Sequence, residues 1–447
     1  MEISKLALEN LGRFRAQEIA LAPTTSVPSN VTVLIGNNGA GKTSILKSLA
    51  TSLSWFVARL RSDKGAGSPI PEEVILNGAA SAAVHVAILD HGVFFQWTLA
   101  RSRPGKKAEH SSSLHDTARL ADKYRTSLTA DEHASLPLIA FYPVERVVLD
   151  IPLKIKEKHS FLQLDGYDNS LNQGVDFRRF FEWFREREDS ENEAAVPDEV
   201  LEQLQKVIAH TRNEAIWKEL QKINASAKDR QLTAVRTAIE MFMPGFSNLK
   251  VRRRPRLHMS IDKDGETLNV LQLSQGEKSL MALVGDIARR LAMMNPTLEN
   301  PLHGDGIVLI DEVDMHLHPQ WARTIIARLT STFPNCQFVL TTHSPLVISD
   351  CKDVLVYALD NGELTPVPSQ YGQDANTVLL DVMHTDIRNA TINTRINDLR
   401  DLIEDGRLDA AQALLNELQA ELPAQNLELA KARLLLRKEE LRRAKNN

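Results

Sequence analysis

VTVLIGNNGAGKT (31–43) is the stretch whose reading decides the fold. VTVLI is a short, unbroken apolar run of the kind a buried parallel strand needs. Gly36–Thr43 has the spacing GxxxxGK[ST], and TSILKSLATSLSWFVARL behind it has helical periodicity. A strand therefore feeds a glycine-rich loop that opens a helix, the context in which this motif cradles phosphate rather than making a bare turn. Glycines let backbone N–H groups approach an anion, and the helix N-terminus adds partial positive charge. The expected nucleotide-binding set is Gly36, Asn37, Asn38, Gly39, Ala40, Gly41, Lys42, Thr43 and Ser44. Lys42 is expected to reach the β- and γ-phosphates, and Thr43 to hold Mg²⁺.

Three downstream stretches extend this reading. GIVLIDE (306–312) is an apolar run closed by two acids, and a parallel strand delivers its last residues to the same sheet edge as the phosphate loop. Asp311 is expected to orient Mg²⁺, and Glu312 to act as general base on the attacking water. QFVLTTHSP (337–345) places His343 after another buried strand, within reach of a γ-phosphate. Alone, these two stretches read as a capped strand and a satisfied loop histidine; their order behind the phosphate loop favours function. LSQGEKSLMAL (273–283) opens an apolar helix with Ser274, Gly276 and Glu277. It reads as a capping box, and a serine hydroxyl, a bare glycine backbone and a helix N-terminus also make an anion site. The two readings are compatible.

The bulk properties set limits. The chain has 447 residues, room for two or three domains, and an ordinary apolar fraction of 43%. Lys plus Arg total 53 against 58 Asp plus Glu, a net charge of -5 with no global nucleic-acid signature. Two cysteines, Cys336 and Cys351, make neither a disulfide framework nor a zinc site, so a reduced, cytoplasmic setting is expected. The first residues lack a signal-peptide core, and no apolar run approaches membrane-spanning length. His316 and His318 beside Asp314 are a weak metal pattern. Three basic clusters, at Lys250, Arg252, Arg253, Arg254 and Arg256, at Arg101, Arg103, Lys106 and Lys107, and along the last helix from Arg433 to Lys445, could meet phosphates; each taken separately reads as a solvated face.

The chain divides by pattern. Residues 1–149 hold the phosphate loop, a hairpin (AAVHVAIL and VFFQWTLA), a polar stretch over 101–136 with a short helix, and the buried strand LIAFYP. Residues 150–244 read as a charged helical insertion, from FRRFFEWFREREDSENE through EVLEQLQKVIAHTRNEAIWKELQ to QLTAVRTAIEMFM. Residues 245–390 return to strands in LKVRRRPRLHMSID and TLNVLQL, then run β-α-β-α-β through the signature helix, the acids and the histidine, as a parallel sheet covered by helices requires. Residues 391–447 are helical again.

The order phosphate loop, LSxGE, apolar-DE, histidine resembles the ABC-type ATPases of the SMC, RecF and OLD kind within the AAA-domain ATPases. The resemblance implies an α/β P-loop NTPase with an ABC-type head: a mixed, mostly parallel sheet with flanking helices, an antiparallel β subdomain, a helical insertion and C-terminal helices. It further implies ATP and Mg²⁺ as cofactors, and two heads paired head-to-tail, with Ser274, Gly276 and Glu277 of one head against the γ-phosphate held by the other. EVDMHLHP looks like the interface loop that follows the acids in OLD- and RecF-like heads. Two features depart from that pattern. The strand LIAFYPVERVV carries no glutamine loop, leaving Glu145, Arg146 or Gln96 as substitutes. ENLGRF has glycine where arginine is usual, with Arg13 or Phe14 as adenine-stacking candidates beside the reading of a simple turn.

FFEWFREREDSENE (180–193), YPVER (142–146), YGQDANTVLLDVM (371–383) and the terminal helices resemble the PtuA-type antiphage ATPases of Septu and retron defence systems. That resemblance implies an HNH endonuclease partner of the PtuB kind, held in check until infection. In retrons a reverse transcriptase and its DNA–RNA product join. The segment beyond His343 is expected to be too short for a nuclease domain of the OLD type, so no nuclease site is expected on this chain, and 391–447 is expected to bind the partner. A RecF-like repair ATPase that binds DNA directly, or a scaffold that binds ATP without hydrolysing it, are the alternatives.

Overall fold

The computed structural model describes residues 1–144, 161–172, 175–194 and 228–446. The elements, in chain order, are β1 (Glu2–Leu11), β2 (Phe14–Ala20), β3 (Val31–Gly36), α1 (Lys42–Arg61), β4 (Ser81–Asp90), β5 (Val93–Ser102), α2 (His115–Ala130), β6 (Leu138–Tyr142) and α3 (Phe177–Ala194). They continue with α4 (Arg230–Phe242), β7 (Phe246–Arg252), β8 (His258–Lys263), β9 (Glu266–Asn269), α5 (Gln275–Met294), β10 (Gly306–Ile310), α6 (Pro319–Thr332), β11 (Cys336–Thr342) and α7 (Pro345–Ser349). After these come β12 (Leu355–Asp360), β13 (Glu363–Val367), α8 (Ala375–Asp381), α9 (Ala390–Glu404), α10 (Leu408–Glu421) and α11 (Leu427–Asn446).

A six-stranded sheet in the order β13-β12-β3-β11-β10-β6 forms the centre, parallel except at β13. Every residue of β3, β6, β10 and β11 is buried, which is why these strands read as unbroken apolar runs. Pairing of Thr342 with Ile35, of Ile310 with Leu340 and of Ile310 with Tyr142 brings Gly36, His343 and Asp311 out at one edge. A second, antiparallel sheet, β2-β1-β4-β5, joins the first through Gln337, whose amide bonds both the N–H and the C=O of Ile3 at 2.7 and 2.8 Å. The expected mostly parallel sheet, flanking helices and antiparallel β subdomain are what the chain forms.

Several segments differ from their sequence reading. The polar stretch 101–136 holds a 16-residue helix, α2, kept on the hairpin by Tyr124, whose hydroxyl donates to the buried Asp90 carboxylate at 2.8 Å. LKVRRRPRLHMSID is two antiparallel strands, β7 and β8, because the run from Arg253 to Leu257 turns the chain. TLNVLQL keeps only the short β9 before a 3₁₀ turn that Asn269 caps. FRRFFEWFREREDSENE, read as a charged helix, buries an aromatic face: Phe177, Phe180, Phe181, Trp183 and Phe184 are fully buried, and α3 and α4 pack on α5. Its charged end is also engaged, since Arg236 of α4 bonds Glu188 at 2.9 Å and Glu191 at 2.7 Å. The middle helix expected in this insertion, within 199–221, lies outside the described residues, as do Glu145 and Arg146.

The chain forms two compact units, Met1–Ala375 and Asn376–Asn447. The division expected at 390/391 falls inside the second unit, because Asn393 bonds Asp386 and Arg388 bonds Glu428, tying 386–388 to the C-terminal helices. Within that unit α9, α10 and α11 pack around Ile396, Leu399, Ile403, Leu415, Leu418, Leu429 and Leu436. Gly406 ends α9 at φ 72, as a left-handed C-terminal cap.

Candidate nucleotide site

The sequence places an anion cradle at the turn from β3 into α1, and backbone geometry shows why glycine is needed there. Gly41 sits at φ 118, where a Cβ would also come within 2.8 Å of the Phe14 ring. Phe14 is therefore packed beneath the loop, buried, and cannot stack on a base; Arg13 is exposed beside Gly39. Lys42 is 5% exposed and points into the loop. Its Nζ donates to the carbonyls of Gly36 at 2.7 Å and Asn37 at 3.1 Å, and lies 2.9 Å from His343 Nε2. Burial lowers its ammonium pKa to about 8, against the opposing pull of Glu312, Asp311 and Asp314.

The two acids leave β10 under tight control. Asp311 is 1% exposed and receives the Thr43 hydroxyl at 2.8 Å on one oxygen and the Thr341 hydroxyl at 2.5 Å on the other. Its own N–H donates to the Tyr142 carbonyl at 2.8 Å. Glu312 stands at φ 45, an uncommon conformation for a non-glycine residue and one that functional turns hold against its cost. Thr341 supports it: its Oγ accepts the Glu312 N–H at 2.7 Å, and its carbonyl accepts the Val313 N–H at 2.9 Å. The Glu312 carboxylate lies 3.3 Å from His343 Nε2. Lys42, Thr43, Asp311, Glu312 and His343 thus meet at one sheet edge although they come from three strand ends.

Sequence reading missed Thr341 and Thr342. Thr342 donates to Asp314 and accepts the Ser344 N–H at 2.9 Å, so the paired threonines hold both the acids and the loop carrying the histidine. Their signal was two hydroxyls closing an otherwise apolar strand just before His343.

The oxygens of Thr43 and Asp311 lie side by side, and among the described residues no group of three or more His, Cys, Asp or Glu could hold a metal ion by itself. A hydroxyl plus one carboxylate fits Mg²⁺, which keeps water ligands and takes phosphate oxygens, better than a cation needing an all-protein cage. His318 serves the fold instead, since its Nδ1 accepts the Gln320 N–H at 3.3 Å and caps α6.

The signature residues stand apart. Ser274 caps α5: its Oγ accepts the Glu277 N–H at 3.3 Å, and its N–H donates to the Glu277 carboxylate at 2.8 Å. Glu277 also pairs with Lys263 at 2.8 Å. A Cβ on Gly276 would come within 2.4 Å of the His316 carbonyl, so the loop after the acids demands glycine there. Ser274–Glu277 and His316–Trp321 wall one open groove, and none of Lys42, Thr43, Asp311, Glu312 or His343 lines it. Gln96, the described substitute for the missing glutamine loop, lies elsewhere too, in a cleft with Lys5, Glu9 and His85.

The basic clusters are partly spent on the fold. Arg101 donates to the Ile70 carbonyl at 2.7 Å and Arg103 to the Ile75 carbonyl at 3.0 Å. Arg253 pairs with Asp189, and Arg443 donates to the Gly406 carbonyl. No helix among the described residues is long and apolar enough to cross a membrane.

Residues 5–229 match a family model described as an AAA domain. Over 401 residues the chain is 34% identical to the retron Ec83 probable ATPase of Escherichia coli, covering 82% of this chain and 73% of that relative. It is 33% identical over 404 residues to the retron Vc95 probable ATPase of Vibrio cholerae, covering 84% and 79% respectively. A shorter likeness, 38% over 113 residues, links it to the Septu protein PtuA of Bacillus mycoides, covering 24% of this chain and 15% of that protein.

Proposed function

The chain belongs to the AAA-domain ATPase family that includes the retron ATPases, and from that premise we propose that it binds and hydrolyses ATP with Mg²⁺ in a head-to-tail pair that restrains an HNH nuclease partner in antiphage defence. The observation that supports hydrolysis is the meeting of Lys42, Thr43, Asp311, Glu312 and His343 at one sheet edge.

In this reading the backbone N–H groups of 36–44 take the β- and γ-phosphates at the start of α1. Lys42 exchanges its two carbonyl partners for phosphate oxygens, which restores the full charge that burial disfavours. Thr43 and Asp311 hold Mg²⁺, which neutralises charge on the phosphate oxygens when bound. The Glu312 carboxylate takes a proton from the attacking water as its oxygen joins the γ-phosphorus and the bond to ADP breaks. His343, already beside Glu312 and Lys42, donates to the γ-phosphate and registers its departure.

The second half of the site comes from another copy. The Ser274 hydroxyl and the N–H groups at the start of α5 open on the groove walled by His316–Trp321, away from the chain's own phosphate loop. A γ-phosphate presented there by a partner copy meets a helix N-terminus. Glu277 keeps that helix start in shape through Ser274 and Lys263.

The nuclease partner is assigned to the C-terminal unit. On α11, Leu427, Leu434 and Leu441 recur every seventh residue and are 65%, 71% and 59% exposed, a stripe that a partner helix would cover. Two measurements test the proposal: ATP turnover of the wild type against Glu312→Gln, and co-purification with an HNH protein. Equal turnover of the two proteins under every condition would contradict hydrolysis.

A further inference from the structure

We propose that Tyr142 is a positioning residue for hydrolysis, one that ties the Asp311 acid to the signature helix α5. The proposal rests on the ATPase reading and adds to it a residue outside the phosphate loop, the acids, the histidine and the signature.

Tyr142 ends β6 and is 1% exposed. Its carbonyl accepts the Asp311 N–H at 2.8 Å, so its backbone sets where the acid leaves the sheet. Its hydroxyl turns to α5 and donates to Asp286 Oδ2 at 3.0 Å. One residue thus bonds the acid with its backbone and the helix with its side chain. Asp286 lies about 18 Å along the helix from the Ser274 cap, at 1.5 Å per residue, in a stretch of α5 that is buried throughout. A rigid helix carries a displacement of its first turn to that position.

The anchor on α5 is unusually directional. Asp286 is fully buried and receives Arg289 Nη2 and Arg290 Nε, both at 2.7 Å. Arg290 also donates to the carbonyls of Gly166 at 2.5 Å and Asp168 at 3.0 Å. Burial works against the Asp286 charge, but Arg290 and Arg289 hold its pKa below the ordinary value. Burial, then the Asp286 charge, pushes the Tyr142 phenol well above its ordinary value and keeps the hydroxyl a donor. Apolar side chains of similar volume would hold a helix against a sheet at less desolvation cost. What the charged cluster adds is one axial and rotational setting of α5 relative to β6, because hydrogen bonds weaken steeply with distance and angle. Whatever seats the Ser274 end of α5 therefore acts on Asp311 through Tyr142.

Tyr142→Phe tests this. It keeps the ring and the backbone bond to Asp311 and deletes only the hydroxyl. The expected result is unchanged nucleotide affinity and a slightly lowered melting temperature, with turnover reduced roughly three- to tenfold, the scale of one lost hydrogen bond. Asp286→Asn should slow turnover too, and the double variant should turn over like Asp286→Asn alone, as residues in one linkage do. Wild-type turnover by Tyr142→Phe would overturn the proposal while leaving the ATPase reading intact. Parallel loss of nucleotide affinity and turnover would also overturn it, marking the hydroxyl as a general structural pin. Wild-type turnover no faster than that of Glu312→Gln would sink the ATPase reading itself, and this proposal with it.

Discussion

The phosphate-loop edge and the signature groove are built from similar parts and reach different degrees of completion within one chain. At the phosphate-loop edge every functional side chain has another as its neighbour: Lys42 with His343, Thr43 with Asp311, Glu312 with His343. At the groove the polar groups serve their own helix, Ser274 with Glu277 and Glu277 with Lys263. Gly276 is required there by the His316 carbonyl of the same chain. The first region has acids, a cation and a histidine, enough for chemistry. The second has a capped helix start and backbone donors, with Glu277 and His318 already engaged at helix starts. The contrast supports a site divided between two copies.

Substitutions break that contrast in different places. The largest effect is expected for Glu312→Gln, which should slow turnover by about 10²–10⁴-fold while keeping nucleotide affinity, measured by phosphate release and by titration with a nucleotide analogue. Lys42→Ala removes charge-assisted bonds of about 1.5–3 kcal/mol each and should weaken nucleotide binding by about tenfold or more in the same titration. Ser274→Arg should leave that binding within about threefold, as a surface change does, yet abolish ATP-dependent pairing in size-exclusion chromatography and, with it, turnover. Gly276→Ala drives a methyl against the His316 carbonyl and should cost about 1–3 kcal/mol in a denaturant melt. Leu434→Glu should shift that melt by no more than about 0.5 kcal/mol while releasing a co-purifying HNH partner.

Much of this was legible in the sequence, for identifiable reasons. Strands buried on both faces have no alternating pattern to disguise them, so VTVLI, LIAFY, GIVLI and the FVL of QFVLTTHSP are legible as apolar runs. The glycine-rich loop, the two acids and the histidine declared themselves by position at strand ends. The resemblance to the Septu and retron ATPases, drawn from FFEWFREREDSENE, YPVER, YGQDANTVLLDVM and the terminal helices, agrees with the retron ATPase relatives. The bonds that brace those motif residues from behind were not legible. Those from Thr341 to Asp311 and from Tyr142 to Asp286 span 30 and 144 residues and exist only once strand register and helix rotation are set. The aromatic face of α3 was masked by its Arg and Glu residues, which lie on the same helix as Phe180 and Trp183 but pair with Arg236 and Asp229 of another segment. Phe14 read as a candidate for stacking because nothing local shows that it lies beneath Gly41.

In the proposed pair, each catalytic unit joins the phosphate loop of one copy to the signature of another. Mixing two inactive variants tests it most directly. Lys42→Ala keeps a sound signature, and Ser274→Arg keeps a sound phosphate loop; each alone should fail to hydrolyse ATP. Mixed in equal amounts and allowed to exchange, they should recover turnover, up to about half of the wild-type rate if every pair is mixed, because each mixed pair has one intact site of two. Turnover by Ser274→Arg alone at the wild-type rate, or no recovery on mixing when the copies are shown to exchange, would contradict the divided site.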